Sequence, residues 1–273
     1  MTDSETLRFV DGQPMPVGTL TRAELVGQGL FETMRWTGSR LPLLAQHEER
    51  LARGARMIGY DPDEVLARFR HELDAHVLPG LADRTRDCVL RFQISHTQQK
   101  RGYGTESGPL ATLWQMHPTA PDVVMAVSGL SVSDQTIPAH SGAPLKHSSR
   151  LDQVLAAQSP DAASAVRCDD QGFVREGLSS NISWVRAGHV YTPDLTRHGV
   201  AGTLAEWLLA HYRTRGMPVL TGDFPASALY RAEALWLTNA LGVQVVNQLG
   251  NTRYNTQNPV LLSTLDAVRQ LFQ

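Results

Sequence analysis

The stretch that decides the fold is residues 143–158, APLKHSSRLDQVLAAQ, where a lysine stands between an apolar loop and a helix-like segment. A hairpin with a glutamate at a strand end follows at 167–195, a glycine-rich turn opens a helix at 199–212, and a strand ends in Thr-Asn-Ala within 232–246. The first N–H groups of a helix attract anions, and a lysine in a partly apolar pocket loses its charge and becomes a nucleophile toward carbonyls. Together the four segments predict a site for an anionic cofactor.

The composition leaves few candidates for the reactive amine. Only two of the 25 basic side chains are lysines, Lys100 and Lys146. Lys100 stands among glutamines and an arginine, which is typical of a solvated loop, whereas Lys146 directly precedes the helix-like segment. We therefore expect Lys146 to carry the chemistry.

Charge and motif spacing argue against several classes of protein. The net charge of −2 offers no positive field for nucleic acid. No apolar run approaches the roughly 18 residues that a membrane span needs, and the acidic N-terminus is unlike a secretory signal. We therefore expect a cytoplasmic protein without nucleic-acid or membrane partners.

His71 and His76 are one residue too far apart for a helical zinc pair, and we expect no metal site. Cys88 and Cys168 are expected to be buried free thiols.

Periodicity indicates an α+β chain rather than regular βαβ alternation. Residues 30–36 alternate as a strand that places Phe31, Thr33 and Arg35 on one face, and Asp61 followed by Pro62 predicts a helix start. A stretch rich in serine, proline and glycine indicates a connection between domains. The predicted organisation is an N-terminal domain over 1–120, a linker over 121–140 and a cofactor-binding domain over 141–273.

At these residues the chain resembles the class IV aminotransferases, the fold type IV enzymes that use pyridoxal 5'-phosphate. The resemblance runs from VGQGLFETMRW and HEERL through KHxxRL, EGxxSN, YTPDL and GVxG to LTNAL, and covers nearly the whole chain. It implies a two-domain α+β fold like that of D-amino acid aminotransferase, with a small N-terminal α/β sandwich and a larger C-terminal pseudo-barrel. It also implies pyridoxal 5'-phosphate as the cofactor and a homodimer with its active site between the domains.

Within the family the resemblance is closest to the lyases that act on 4-amino-4-deoxychorismate. It is carried by Thr33 in FETMR, by RGYG at 101–104, by LKHxxRLxQVL around Lys146 and by GVxG at 199–202. The implied reaction eliminates pyruvate and leaves p-aminobenzoate for folate synthesis. Two alternatives remain open: a class IV transaminase for branched-chain or D-amino acids, and a catalytically silent homologue that serves as a binding protein.

The resemblance also implies a role for each matching residue. Lys146 would hold the cofactor and move protons, Thr33 would donate a proton near the leaving group, and Glu176 would bond the pyridine nitrogen. The other implied cofactor ligands are Arg50, Gly202, Thr203, Leu204, Asn239 and Ala240. The candidates for binding substrate carboxylates are Arg101, Arg91 and Arg35.

The phosphate-binding turn departs from the pattern usual in the family's transaminases. That turn usually reads Gly-Ile-Thr-Arg, whereas this chain has Gly202-Thr203-Leu204-Ala205. The arginine is missing and the hydroxyl has moved by one position. The sequence therefore predicts phosphate contacts from the backbone at this turn.

Overall fold

The structure, a computed structural model, describes residues 8–10, 13–15, 20–98, 102–103, 107–139, 144–159 and 165–273. Two sheets of unequal size organise this part of the chain, and helices pack against each of them. Lys100 and the candidate ligand Arg101 lie outside the described residues. Within the described ranges, the structure contains no helix with the length and apolarity to cross a membrane.

A three-stranded antiparallel sheet in the order β3–β4–β5 forms the first half of the molecule. The strands of this half, with the preceding β1–β2 hairpin, are β1 Arg8–Val10, β2 Gln13–Met15, β3 Leu30–Trp36, β4 Cys88–Gln98 and β5 Ser107–His117. Its helices are α1 Arg22–Val26, α2 Leu44–Met57, α3 Pro62–Glu72 and α4 Leu78–Gly80, with a π-helical turn at Leu73–Val77.

The start of α3 confirms the helix predicted from Asp61 and Pro62. The Asp61 side chain accepts a hydrogen bond of 2.9 Å from the N–H of Asp63, and Pro62 occupies the first turn, where its missing N–H costs nothing. The apolar face of the helix packs onto the sheet, where Phe69 meets the ring of Phe92 with centroids 5.0 Å apart. The core of the first half therefore lies between α3, α2 and the sheet.

A nine-stranded sheet forms the second half of the described chain. Its main path runs β6–β14–β13–β10–β9–β8–β7, and β11 extends it from β10 to β12. The bounds of these strands are β6 Val124–Val127, β7 Ser131–Val132, β8 Ala165–Cys168, β9 Val174–Gly177, β10 Asn181–Arg186, β11 His189–Pro193, β12 Val219–Gly222, β13 Ala234–Asn239 and β14 Gly242–Val246. A small hairpin, β15 Gln248–Leu249 and β16 Thr252–Arg253, follows.

Helices cover this larger sheet and bury its apolar side chains. They are α6 Thr203–Thr214 and α7 Pro259–Leu271, with a 3-10 helix at Ala226–Arg231. The short helix α5 Leu151–Ala156 follows Lys146 and leaves most of its apolar side chains exposed. Trp184 and Trp236 are buried in the core, and Cys88 and Cys168 are buried free thiols, as predicted. The mixture of two antiparallel-rich sheets and separate helices confirms the α+β class.

The predicted linker over 121–140 contains two strands of the larger sheet. β6 pairs in parallel with β14, and β7 pairs in parallel with β8. Both strands are short, at four and two residues, so they show little alternation in a stretch whose composition indicates a loop. The boundary near residue 120 remains our proposal, with the chain joining the second sheet from Val124 onward.

Candidate functional site

A cavity of about 470 Å³ lies between the two halves and collects most of the residues singled out in the sequence. Strand β3 and helix α2 contribute from the first half, and the lysine loop, β9 and the end of β13 contribute from the second. The sequence-predicted residues that line it are Thr33, Arg50, Arg91, Lys146, Glu176, Gly202, Asn239 and Ala240.

Arg35, a predicted substrate ligand, does not line this cavity. Its guanidinium pairs with Asp87 and donates to the carbonyls of Pro121 at 2.7 Å and Leu241 at 2.8 Å. Arg35 shares a strand face with Thr33, but two residues of strand advance the chain by about 6.6 Å, beyond the cavity. The prediction for Arg35 is therefore corrected: it ties the first half to the β13–β14 turn.

Backbone hydrogen bonds hold the lysine loop against the start of β3. The N–H of Phe31 donates to the carbonyl of Lys146 at 3.0 Å, and the N–H of Ser148 donates to the carbonyl of Gly29 at 2.8 Å. This pairing places the Lys146 Nζ 4.5 Å from the centroid of the Phe31 ring. Burial, reinforced by the positive charge of Arg50, lowers the pKa of Lys146 to about 7. A large fraction of this amine is uncharged near neutral pH, which is the state a nucleophile requires.

The second sheet contributes Glu176 to the cavity. Glu176 lies on β9 and is buried. Its Oε2 accepts a hydrogen bond of 2.9 Å from the N–H of Val200. Burial raises the pKa of Glu176 to about 7 in spite of that bond. Gly199 has a φ of 70°, and a Cβ there would lie 2.6 Å from the Glu176 Oε2, so both conformation and space require glycine.

The turn 199–202 connects this carboxyl to the start of α6. Asn181 donates from Nδ2 to the carbonyl of Val200 at 2.7 Å, and the N–H of Ala201 donates to the carbonyl of Pro144 at 3.2 Å. A Cβ on Gly202 would overlap the Asn181 Oδ1. The turn therefore packs closely against β10 and the lysine loop, and it sets the position at which α6 begins.

Thr203 and Leu204 form the first turn of α6, but their side chains are buried away from the cavity lining. Their position still matters, because N–H groups in the first turn of a helix have no acceptor within the helix. The hydroxyl of Thr238, which does line the cavity, has no hydrogen-bond partner among the described residues. This end of the cavity therefore presents several donors suited to an anion.

Arg50 reaches this end of the cavity from α2 and is held by a buried acid. Its Nε donates to Glu32 Oε1 at 2.9 Å, its Nη2 donates to Glu32 Oε2, and its Nη1 donates to the carbonyl of Ala201 at 3.0 Å. His47 Nδ1 lies 2.6 Å from Glu32 Oε2. Burial alone would raise the pKa of Glu32, but Arg50 and His47 outweigh it and lower the pKa to about 2.

The sequence reasoning missed Glu32, although its position carried a signal. Glu32 alternates with Leu30 and Met34 on the face of β3 that packs on the helices, where charged residues are rare unless paired. Thr238 and Arg150 were also missed, and both line the cavity. Arg150 additionally holds the lysine loop, since it donates to the carbonyls of Leu145 at 2.7 Å and His147 at 3.0 Å.

Arg91 and Thr33 lie directly opposite each other on β4 and β3 and both line the cavity. The guanidinium carbon of Arg91 lies 4.4 Å from the centroid of the Phe31 ring. Within the part of the chain that the structure describes, no carboxylate pairs with Arg91.

Asn239 plays a local role, because its Oδ1 accepts from the N–H of Leu241 at 2.9 Å and shapes the turn after β13.

Comparison with known proteins identifies the family. A family model described as amino-transferase class IV matches residues 29–249, which is most of the chain. The chain belongs to the class IV aminotransferase family. Enzymes of this family depend on pyridoxal phosphate.

The relatives of this class IV chain are named for two different reactions: some are lyases and others are aminotransferases. Aminodeoxychorismate lyase from Vibrio harveyi is 28% identical over 267 residues, covering 92% of this chain and 94% of that protein. The crystal structure of 4-amino-4-deoxychorismate lyase from Pseudomonas aeruginosa has a TM-score of 0.80 at 28% identity and covers 96% of this chain and 98% of that one. A putative branched-chain-amino-acid aminotransferase from Methanocaldococcus jannaschii is 24% identical, covering 85% of this chain and 81% of that protein. The comparisons confirm the predicted family and fold class.

Proposed function

We propose that this chain binds pyridoxal 5'-phosphate and is a 4-amino-4-deoxychorismate lyase, which releases pyruvate and leaves p-aminobenzoate. The observation that carries the proposal is a single cavity in which Lys146, Glu176 and Arg50 meet Thr33 and Arg91. The two lyases that are each 28% identical over more than nine-tenths of this chain support it.

The cavity fits the cofactor at both of its ends. Arg50, the first N–H groups of α6 and the unpartnered hydroxyl of Thr238 would hold the phosphate. Glu176 would hold the pyridine nitrogen, and Lys146 would supply the amine that binds the aldehyde. When bound, the cofactor supplies an electron sink for the substrate carbon that carries the amino group.

The protein's own residues supply the proton transfers in this proposal. Lys146, with a pKa near 7, can release and accept a proton at neutral pH, so its Nζ would take the proton from the substrate carbon. Glu176, also with a pKa near 7, would share a proton with the pyridine nitrogen and keep that nitrogen positive. The Thr33 hydroxyl would donate a proton toward the departing pyruvyl group.

Arg91 is our proposed ligand for a substrate carboxylate. A planar guanidinium binds a carboxylate through two parallel hydrogen bonds, and Arg91 faces the cavity without a carboxylate partner among the described residues. We propose that Arg101, outside the described residues, binds the second carboxylate of the substrate. The apolar surfaces of Phe31 and Leu178 are available to the six-membered ring.

A transaminase for branched-chain or D-amino acids is the second candidate. The apolar part of the cavity lining, Val154, Leu178 and Leu241, favours an aliphatic side chain, and the Methanocaldococcus relative is named as such an enzyme. On this reading Arg91 would bind the one carboxylate of an amino acid.

A coupled assay separates these functions by their products. The purified chain receives chorismate, glutamine and an aminodeoxychorismate synthase, and we expect p-aminobenzoate and pyruvate in equal amounts. Amino-group exchange between an amino acid and 2-oxoglutarate, without p-aminobenzoate, would instead establish the transaminase. If neither reaction occurs, the chain is a silent homologue.

The cofactor assignment is tested on the two lysines. We expect the purified protein to be yellow and its visible absorbance to be lost in Lys146→Ala, while Lys100→Ala keeps both absorbance and activity. Equal absorbance in the two variants would contradict the assignment of Lys146.

We also propose that the chain acts as a homodimer. Helix α5 borders the cavity and exposes Leu151, Val154 and Leu155, a grouping that a second copy could cover. Analytical ultracentrifugation should give a dimer mass, and Leu151→Glu should shift the population toward monomer. A monomer in the unaltered protein would exclude this proposal.

A further inference from the structure

We propose that Glu32 is a positioning residue that holds Arg50 in the orientation needed to bind the phosphate of the cofactor. The inference rests on the proposed binding of pyridoxal 5'-phosphate, but it does not depend on whether the reaction is elimination or transamination. Glu32 itself does not line the cavity, so it acts through Arg50.

The geometry accounts for three of the five N–H donors of Arg50. Its Nε and Nη2 form a two-pronged pair with the Glu32 carboxylate, and its Nη1 donates to the carbonyl of Ala201. One N–H on each of Nη1 and Nη2 remains for the cavity that Arg50 lines. The guanidinium is thus anchored on β3 and on the turn before α6, and its plane cannot rotate without breaking both anchors.

His47 completes the support behind the carboxylate. Glu32 is ionised and can only accept, so the proton between Glu32 Oε2 and His47 Nδ1 lies on the histidine. Burial lowers the pKa of His47, which keeps its ring neutral. The Glu32 oxygens are therefore bound by Arg50 on one side and by His47 on the other, and all three side chains are buried.

Stability alone is a weak reason for this arrangement. Replacing a buried ion pair by apolar residues is often neutral or stabilising, so such a pair on an otherwise apolar strand face calls for another role. The position of Glu32 directly behind a cavity-lining arginine supplies one. A positioning role and a purely structural role predict different results for ligands with and without a phosphate.

The test uses the full chain with its cofactor removed, titrated with pyridoxal 5'-phosphate and with pyridoxal, which lacks the phosphate. The dissociation constant for pyridoxal divided by that for pyridoxal 5'-phosphate measures how much the phosphate contributes to binding. We expect Glu32→Gln and Arg50→Ala each to reduce this ratio roughly tenfold or more, because a charge-assisted pair contributes that much to affinity. The double variant should lose no more than Arg50→Ala alone.

A matched control lies on α2, the helix that carries Arg50. Glu49 is exposed and pairs with Arg53 one turn along, so Glu49→Gln should leave the ratio unchanged. Glu32→Asp keeps the charge with a shorter reach and should give an intermediate ratio. Because both ligands are measured on one preparation, a partly unfolded sample affects both constants equally.

Charge supplies a second readout. Glu32 raises the pKa of Lys146, while Arg50 lowers it. Glu32→Gln should therefore move the pH midpoint for reaction of Lys146 with pyridoxal to a lower value. An unchanged midpoint would mean that Glu32 is not ionised, which would contradict its ion pair with Arg50.

Three outcomes overturn the inference or its basis. If Glu32→Gln melts earlier but keeps the wild-type ratio, Glu32 is structural only. If Glu32→Gln does not fold, an unchanged ratio in Glu32→Asp leads to the same conclusion. If the unaltered protein does not prefer the phosphorylated ligand, the proposed cofactor fails and the inference fails with it.

Discussion

Two buried carboxylates flank the cavity, and they differ in charge. Glu32 is 1% exposed and Glu176 is 4% exposed, yet the pKa of Glu32 is about 2 and that of Glu176 is about 7. Glu32 faces the guanidinium fork of Arg50 and the ring of His47, whereas Glu176 receives the N–H of Val200. Nearly equal burial therefore accompanies opposite shifts of the pKa, and the adjacent partner decides the direction of the shift.

The difference suits the two ends of the proposed cofactor site. A permanently ionised carboxylate can anchor an arginine that binds phosphate, and it is unsuited to exchanging a proton near neutral pH. A carboxyl that titrates near 7 can share a proton with a ring nitrogen. Substitutions at Glu176 and at Glu32 therefore test the two ends separately.

Glu176→Gln should have the largest effect on catalysis. The amide keeps the shape but cannot hold a positive pyridine nitrogen, so we expect kcat to fall roughly 100- to 1000-fold, as when one electrostatic contact to developing charge is removed. Release of p-aminobenzoate measures the effect. Glu206→Gln is the control, because Glu206 is a half-buried carboxylate on α6 that pairs with Arg53 and does not line the cavity. Full activity in Glu176→Gln would remove this carboxyl from the mechanism.

The cofactor-free protein should lose stability between pH 4.5 and 7 because of Glu176. The raised pKa means that the folded state keeps a proton that the unfolded state releases, so the free energy of unfolding falls as the pH rises through this window. The full difference corresponds to about 3 kcal/mol. Urea unfolding at several pH values should show this slope in the wild type and its loss in Glu176→Gln.

Glu32 should produce the opposite slope at lower pH. Its depressed pKa stabilises the folded state above pH 4.5, and that contribution, again about 3 kcal/mol, is lost as the pH falls to about 2. Glu32→Gln should lack this part of the profile. Parallel acid profiles for Glu32→Gln and the wild type would refute the contrast between the two carboxylates.

Arg91, between the two ends, should affect substrate binding more than the chemical step. We expect Arg91→Gln to raise KM roughly tenfold, the value of one charge-assisted contact, with a smaller change in kcat. Steady-state kinetics measure both, and Arg86→Gln, on the exposed loop before β4, is the matched control. A fall in kcat alone would exclude the carboxylate-binding role.

A third carboxylate should give the smallest effect and sharpen the comparison. Asp87 pairs with the buried Arg35 but is 37% exposed itself. Solvent screens such a pair, so Asp87→Asn should lower the free energy of unfolding by about 1 kcal/mol or less. A loss as large as that in Glu32→Gln would show that pairing matters regardless of exposure.

Local patterns predicted the elements of the site well. Asp61 and Pro62 start α3, alternation identified β3, and the spacing of the glycine-rich turn identified the start of α6. These features depend on residues within one turn or strand, so neighbouring residues contain the information. The actual roles of Arg35 and Glu32 depend instead on contacts between segments that are distant in the chain, and the local pattern did not predict them.

The sequence by itself determined which groups are available: a lysine in an apolar context, a glutamate at a hairpin end and a glycine-rich helix start, in the order typical of one enzyme family. Only the tertiary structure decided which of them meet and in what state of charge. Lys146 and Glu176 titrate near 7 because folding removes water from both, and Glu32 stays ionised because folding brings Arg50 and His47 to it. Protonation depends on burial and on partners far away in the chain, and neither can be read from a local pattern.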